Sequence, residues 1–438
     1  MTATRPAPRT DVAAALYPLL EQLLGRPLPI RLKAWDGSTV GPEGAPTVLL
    51  RSSRALRRLL WYPGELGLAE AYIAGELDIE GDLGAGLARI ERPERERTAR
   101  RPLGPADRAR AVATAVRLGA AARRPPSPAG RAALTGSPHS RARDRAAISH
   151  HYDLSNEFYA LLLDPSMAYS CAYWTPGAST LAHAQAAKLD LICRKLGLEP
   201  GMRLLDVGCG WGSLALHAAR YHGVRVTGVT LSARQHAYVT ARAAGAGLAD
   251  RVDIRLLDYR EVADGPYDAI SCVEMGEHVG DELYPAFVRR LFRLLRPQGR
   301  LLVQQMSRGE RAPGGGAFIE TYIAPDMHMR PVGETAALLE RAGLEVRQVE
   351  ALREHYVRTV DAWRRTLERR APDFTELVGE QTVRVWRLYL AGASLAFAER
   401  RMGVDQLLCV RPSAEGTAGA PATPHAWYPA FGPAGDGR

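Results

Sequence analysis

Cysteine is scarce in this chain, and long apolar runs and an apolar N-terminal leader are missing. The five cysteines, Cys171, Cys193, Cys209, Cys272 and Cys409, show no paired metal-ligand spacing, and their odd number argues against a disulfide framework. Free thiols and no metal are the expectation. No apolar stretch is long enough to span a bilayer, and the first residues lack the core of a secretory signal. This points to a cytoplasmic protein. What is present is ordinary for a soluble chain: 46% hydrophobic and 24% charged residues over 438 positions, enough for two or three domains.

The net charge of +9 is unevenly spread. Arginines crowd the stretch from Arg92 to Arg145, among them Arg100, Arg101, Arg108, Arg110, Arg123, Arg124, Arg141 and Arg143, with Pro125-Pro126-Ser127-Pro128 between them. Residues 93–147 therefore read as a basic linker, with a possible amphipathic helix from Ala106 to Arg124. Such a helix suits an anionic lipid surface or nucleic acid, and charge alone does not separate the two. Residues 1–10 and 412–438 read as disordered, 11–92 as a compact α+β region, and 148–411 as a doubly wound α/β domain of alternating strands and helices.

The most informative run is Asp206-Val207-Gly208-Cys209-Gly210-Trp211-Gly212, which follows an apolar strand (Arg203 to Val207) and opens an amphipathic segment, Leu214 to Tyr221. A strand, glycine turn and helix of this kind let backbone approach a nucleotide-like ligand and present unpaired N–H groups to it. Further strands read at Val224 to Thr230, Tyr267 to Val273 and Arg300 to Gln305, and a helix at Pro285 to Leu295. A dinucleotide site usually carries an acidic residue about 20 residues beyond the glycines to hold the ribose. Here that place holds Thr230-Leu231-Ser232, with Gln235 one turn later, and Asp258-Tyr259 ends the third strand. A hydroxyl and an amide for the ribose, and a carboxylate for an adenine amino group, suit S-adenosylmethionine better than a nicotinamide. Taken singly, Asp258 reads equally as a cap and Gln235 as helix surface.

Longer matches point to a family. His151-Tyr152-Asp153-Leu154-Ser155-Asn156, Ala168-Tyr169-Ser170-Cys171-Ala172-Tyr173, the Asp206 to Gly212 turn, Val229 to Ser232 with Gln235, Glu277-His278-Val279-Gly280, Phe318 to Ile323, His355-Tyr356 and Val404-Asp405-Gln406 occur in order. Over residues 11–410 the chain resembles the cyclopropane-fatty-acyl-phospholipid synthases and mycolic-acid methyltransferases. The resemblance implies a Rossmann-like class I methyltransferase domain with a mostly parallel seven-stranded sheet, and an N-terminal domain typical of the phospholipid-acting members. It implies S-adenosylmethionine held by Tyr169, Ser170, Asp206, Gly208, Gly210, Gly212, Thr230, Leu231, Gln235, Asp258 and Tyr259. It also implies a membrane phospholipid with an unsaturated acyl chain as partner, at the anionic inner face of the membrane. A homodimer belongs to that implication, as does a partner reductase if the product is a methylene branch.

In the implied chemistry an alkene attacks a sulfonium methyl group, and a bound bicarbonate ion removes a proton from the resulting cation. By position, Cys171, Glu277 and Tyr389 match residues that hold this ion, with Glu277 accepting from it and Tyr389 donating to it. Aromatic faces at Tyr169, Tyr173, Trp174 and Tyr389 are candidates to stabilise the cation. Three departures stand out. Gln304 takes the place of a bicarbonate-contacting histidine, Ala393 that of a late-helix cysteine, and Ala324-Pro325-Asp326-Met327 that of the usual Phe-Pro-Gly-Gly. Gln304 and Val273-Glu274-Met275 look closer to relatives that make mid-chain methylene or methyl branches, whereas Glu277-His278 keeps the ring-forming pattern. A soluble-metabolite methyltransferase and a lipid-binding protein that has lost catalysis remain as alternatives. Nucleic acid is not an expected partner, because no Asn-Pro-Pro-Tyr-like motif is present.

Overall fold

Short strands and helices near the N-terminus build a sheet that is distinct from the one carrying the glycine turn. The computed structural model describes residues 11–24, 28–96, 104–121, 123–131, 135–144, 154–309 and 314–428. Contacts divide the chain into one unit of Met1–Arg131, Gly316–Tyr322 and Leu367–Leu395, and a second of Ala132–Gly315, Ile323–Thr366 and Ala396–Arg438.

In the first unit, β1 (Arg31–Lys33), β2 (Thr39–Val40), β3 (Thr47–Leu50) and β4 (Leu77–Ile79) form a sheet in the order β2-β1-β3-β4. The helix Ser53–Trp61 starts at Ser52, whose side chain accepts from the Arg54 amide and so satisfies one orphan N–H of the first turn. Its Arg58 is buried, and Nε donates to Glu76 at 2.8 Å while Nη1 reaches Glu70 at 3.3 Å. Two corrections to the expected boundaries follow. Residues 93–147 are not simply a linker: Pro105–Ala115 is helical, and Ala115 and Ala120 are buried in this unit's core beside Leu16, Leu32 and Leu56. Small apolar residues interleaved among the arginines supply that buried face. The unit also draws in two segments from far along the chain, 316–322 and 367–395, so the linear boundary at residue 148 does not describe it.

The second unit carries β5 (Arg203–Val207), β6 (Arg225–Thr230), β7 (Val252–Leu256), β8 (Tyr267–Val273), β9 (Leu295–Arg308), β10 (Glu345–Ala351) and β11 (Met402–Val410). Their order is β10-β11-β9-β8-β5-β6-β7, parallel from β9 to β7, with β11 antiparallel to both neighbours. This is the doubly wound α/β sheet the sequence implies. Leu204, Leu205 and Val207 of β5 are fully buried, as befits a central strand covered on both faces. After β7 the chain returns to the other side of β5 to lay down β8, so the strand order reverses between β5 and β8. A crevice opens at such a reversal, beyond the carboxyl ends of the strands.

The expected C-terminal tail is ordered as far as Tyr428. Trp427 is buried with Leu191 and Leu408, and the Tyr428 hydroxyl donates to Glu350 at 2.8 Å. One large apolar ring gives this Gly/Pro-rich segment a place to dock. Residues 1–10, 145–153 and 429–438 lie outside the described residues, and with them Arg100, Arg101, Arg145 and His151-Tyr152-Asp153. Among the described residues no helix is long and apolar enough to cross a membrane.

Candidate active site

Beyond the β5 and β8 ends lies a cavity lined by thirty residues of the second unit, and ten of the eleven expected cofactor residues are among them. The glycine turn shapes one side. Gly208 and Gly210 have φ of 77° and 53°, and a Cβ on Gly210 would meet nothing within 4 Å, so its bare backbone faces open space. The helix Ser213–Tyr221 follows with no side chain capping its start, which leaves first-turn N–H groups for a ligand. Gly212 is the exception. It does not line the cavity, and a Cβ there would lie 2.4 Å from Val239, so its role is close helix packing.

Polar groups at the β5, β6 and β7 ends fit an adenosyl ligand. The Thr230 hydroxyl donates to Gln235 Oε1 at 2.7 Å, and Gln235 Nε2 is buried without a partner among the described residues. An orphaned donor at the cavity wall is what a ribose or adenine acceptor would satisfy. Asp206 accepts from Ser271 at 2.8 Å, and burial pushes its carboxyl up to about 6. Lys188 is buried and donates to Ser170 Oγ at 2.8 Å; desolvation lowers its ammonium despite the carboxylates around it. Asp258 is both a cap and an ion-pair partner, accepting from the Arg260 amide at 2.9 Å and from Arg260 Nη2 at 2.7 Å. Burial works to raise its carboxyl, but these Arg260 contacts outweigh it and hold the group low. Arg260 also reaches Asp144 at 2.9 Å, and Asp326 takes Arg143 on both oxygens.

The other side of the cavity is organised by Glu274, a residue not among the expected site residues. It follows β8 directly with φ of 52°, a left-handed conformation that costs a non-glycine residue of order 1–3 kcal/mol. Its own N–H donates to the Gln304 carbonyl at 2.6 Å. Oε1 accepts from the Cys171 N–H at 2.7 Å and from Gln304 Nε2 at 2.8 Å, and Oε2 accepts from the Tyr356 hydroxyl at 2.6 Å. Burial raises its carboxyl; the Tyr356, Cys171 and Gln304 donors and nearby Lys188 offset part of that. Behind it a buried chain runs on: Gln406 Nε2 donates to Gln304 Oε1 at 2.9 Å, and Lys195 to Gln406 at 2.8 Å. The available signal was position, since Glu274 is the first polar residue past a strand at the order reversal.

Three of the four expected catalytic residues lie in the second unit, and none of those three lines the cavity. Cys171 offers its backbone N–H, not its thiol. The sulfur is buried against the Ala172 and Leu352 carbonyls, and desolvation keeps it protonated. Gln304 spends its amide on Glu274 and Gln406. The donors expected to hold bicarbonate at these two positions are therefore committed to a carboxylate of the chain itself. Glu277 is fully buried and does not line the cavity, and among the described residues neither carboxylate oxygen has a hydrogen-bond partner. Burial first, then the charge of Glu274, push it up to about 8; the Glu277 and Met306 amides offset part of this without reaching bonding geometry. At neutral pH Glu277 is thus largely a neutral acid. Tyr389 belongs to the first unit, on the helix Glu380–Ala398, edge-on to Trp386 at 5.5 Å.

Of the expected aromatic faces in the second unit only Tyr169 lines the cavity, packed on Tyr159 and Trp363. Tyr173 stacks on His355 and donates to Glu350, and Trp174 lies under Arg358, so both faces are taken. Trp211, Met167, Met275, His278, Val279 and Leu283 complete much of the wall. All five cysteines are free and buried. Away from the cavity, Cys193, His217 and His222 bring metal-capable atoms within 4.8 Å of one another.

Comparison with known proteins gives the same outline. A family described as mycolic acid cyclopropane synthetase matches residues 139–407. A probable fatty acid methyltransferase of Pseudomonas putida is 36% identical over 411 residues, covering 92% of this chain and 96% of that one. The probable fatty acid methyltransferase Rv3720 of Mycobacterium tuberculosis is 37% identical over 414 residues, covering 92% and 95%. Among solved structures, mycolic acid cyclopropane synthase CmaA1 complexed with SAH and CTAB superposes with a TM-score of 0.57 at 33% identity, covering 60% of this chain and 97% of that one.

Proposed function

The chain belongs to the mycolic acid cyclopropane synthetase family, and we propose that it transfers a one-carbon unit from S-adenosylmethionine to the double bond of an unsaturated acyl chain in a membrane phospholipid. It is an S-adenosylmethionine-dependent methyltransferase of this family. The observation that carries the acyl-chain reading is the cavity itself. Its cofactor loops open onto Met167, Tyr169, Val273, Met275, Val279 and Leu283, with a buried carboxylate among them. An apolar wall suits a hydrocarbon acceptor and keeps water from trapping a cation. A fatty acyl acceptor is supported by extent of match: fatty acid methyltransferases cover 92% of the chain, whereas CmaA1 leaves 40% of it unmatched, by difference from 60%.

Bound S-adenosylmethionine supplies an electrophilic methyl carbon. The chain's own residues orient it through the bare Gly210 backbone and the Thr230–Gln235 pair, and exclude water around the alkene. The product is a cyclopropane ring or a methylene branch, both of which require loss of one proton from the cation. Access is from an anionic membrane surface, with exposed Arg108 and Arg110 as contacts. The test is incubation of the purified chain with vesicles of monounsaturated phospholipid and methyl-labelled cofactor, followed by mass spectrometry of the acyl chains. Label in acyl chains is the expected result, and carbon NMR separates ring from branch. Labelling of a soluble acceptor with unlabelled lipid would overturn the reading.

A further inference from the structure

We propose that the Glu274 carboxylate is itself the base that takes the proton from the newly transferred carbon, so that this chain needs no bound bicarbonate. The inference rests on the acyl-chain reading above and assigns one residue within it.

The cavity holds five carboxylates, and four are otherwise engaged. Asp144 and Asp258 both clamp Arg260, Asp326 is held by Arg143 through two bonds, and Asp206 takes the Ser271 hydroxyl beside the glycine turn. Glu274 alone is held by three neutral donors. Those donors also leave it unfinished. A carboxylate offers about four acceptor positions; Oε1 uses two, and Oε2 uses one, on Tyr356. One position on Oε2 remains to receive a proton. The group is rigidly placed, because its N–H and both oxygens are tied to Gln304, Cys171 and Tyr356. The chain also keeps a glutamate where φ of 52° favours glycine, which a mere turn after β8 would not require. Glu277 is excluded as the base because its buried carboxyl does not line the cavity.

The electron count closes for either product. The alkene π pair forms a bond to the methyl carbon as the methyl–sulfur bond breaks, its pair leaving with sulfur, and a cation forms on the second alkene carbon. For a ring, a C–H bond of the new methyl breaks, its pair closes the third C–C bond, and the proton goes to Glu274 Oε2. For a branch, a hydride first moves to the cationic carbon from the neighbour that bears the new methyl, leaving the cation there; a methyl C–H bond then breaks, its pair forms a double bond to that carbon, and the proton goes to Oε2. Neither route needs an external oxidant or reductant.

The experiment compares full-length wild type, Glu274→Gln, Glu274→Gly and His278→Asn on monounsaturated phospholipid vesicles, with and without dissolved bicarbonate. His278 is included because it also lines the cavity and is the competing proton acceptor. Wild type is expected to turn over equally in carbonate-free buffer. Glu274→Gln should lose about 100-fold or more in turnover, the usual range for a general base, with S-adenosylhomocysteine affinity within about threefold. Glu274→Gly suits the backbone and opens space, so added bicarbonate should restore part of its activity, which a purely structural residue would not show. Glu274→Gln within about threefold of wild type, a wild-type rate that collapses without bicarbonate, or the main loss falling on His278→Asn would each overturn the inference. Absence of any acyl product from wild type would instead overturn the parent reading, and this one with it.

Discussion

The two sides of the cavity are built in opposite ways. The glycine-turn wall comes from one short stretch, Asp206 to Leu214, and works through backbone: positive φ at glycines and an uncapped helix start. The carboxylate side is assembled from β8, β9, the Cys171 loop and the helix Arg353–Arg369, with Glu274 bonded to partners 30, 82 and 103 residues away. A turn that must fit a generic nucleoside can be local. A buried charge needs several donors at once, and only distant segments can converge on it.

That contrast can be broken at the glycines, where the largest effect is expected. Gly210→Val places a side chain in open cavity space and should weaken S-adenosylhomocysteine binding by about 1000-fold, or about 4 kcal/mol, measured by calorimetry. Gly212→Val should do the reverse. Its Cβ would sit 2.4 Å from Val239, so it should cost about 1–3 kcal/mol of stability by chemical denaturation while the folded fraction still binds. Equal binding loss in both variants would erase the distinction between a cofactor-facing and a packing glycine.

Next comes the buried acid. Glu277 ionises near 4.5 when unfolded and only at about 8 when folded, so its neutral form favours the native state. The stability it contributes is complete below about 4.5 and is lost as pH rises toward about 8. Glu277→Gln cannot ionise, so its advantage over wild type should widen between about pH 5 and 8 and level off at about 5 kcal/mol. A gap that does not change with pH would mean that Glu277 is paired.

A smaller effect should come from Gln304→Leu, which removes one donor from Glu274 and strands Gln406. Losing a bond to the charged form raises the carboxyl, so the acidic limb of the rate profile should move to higher pH, with turnover down about tenfold. The smallest is at the surface. Arg108→Ala should weaken binding to anionic vesicles by about 1 kcal/mol, and less at high salt. An unchanged affinity there would move the membrane contact elsewhere.

The strands at Arg203–Val207 and Tyr267–Val273 and the helix near Pro285 were readable from apolar runs and their breakers, within a residue of where they lie. The C-terminal segment was not, because its composition suggests solvent and a single Trp427 overrides it. In the basic stretch after residue 93 the helix near Ala106 was legible but its burial was not: arginine dominates the count, while Ala115 and Ala120 decide the packing.

Sequence alone determined the doubly wound class, the glycine turn and the polar set at the ends of β5 to β7, since each depends on residues close together in the chain. Tertiary structure decided which carboxylate reaches the cavity. Glu274 and Glu277 are three residues apart and equally acidic in the sequence, yet one ends in the cavity with three donors while the other is sealed with none among the described residues. Burial and hydrogen bonding set the charge of a carboxyl group, and both are properties of neighbours that only folding brings together.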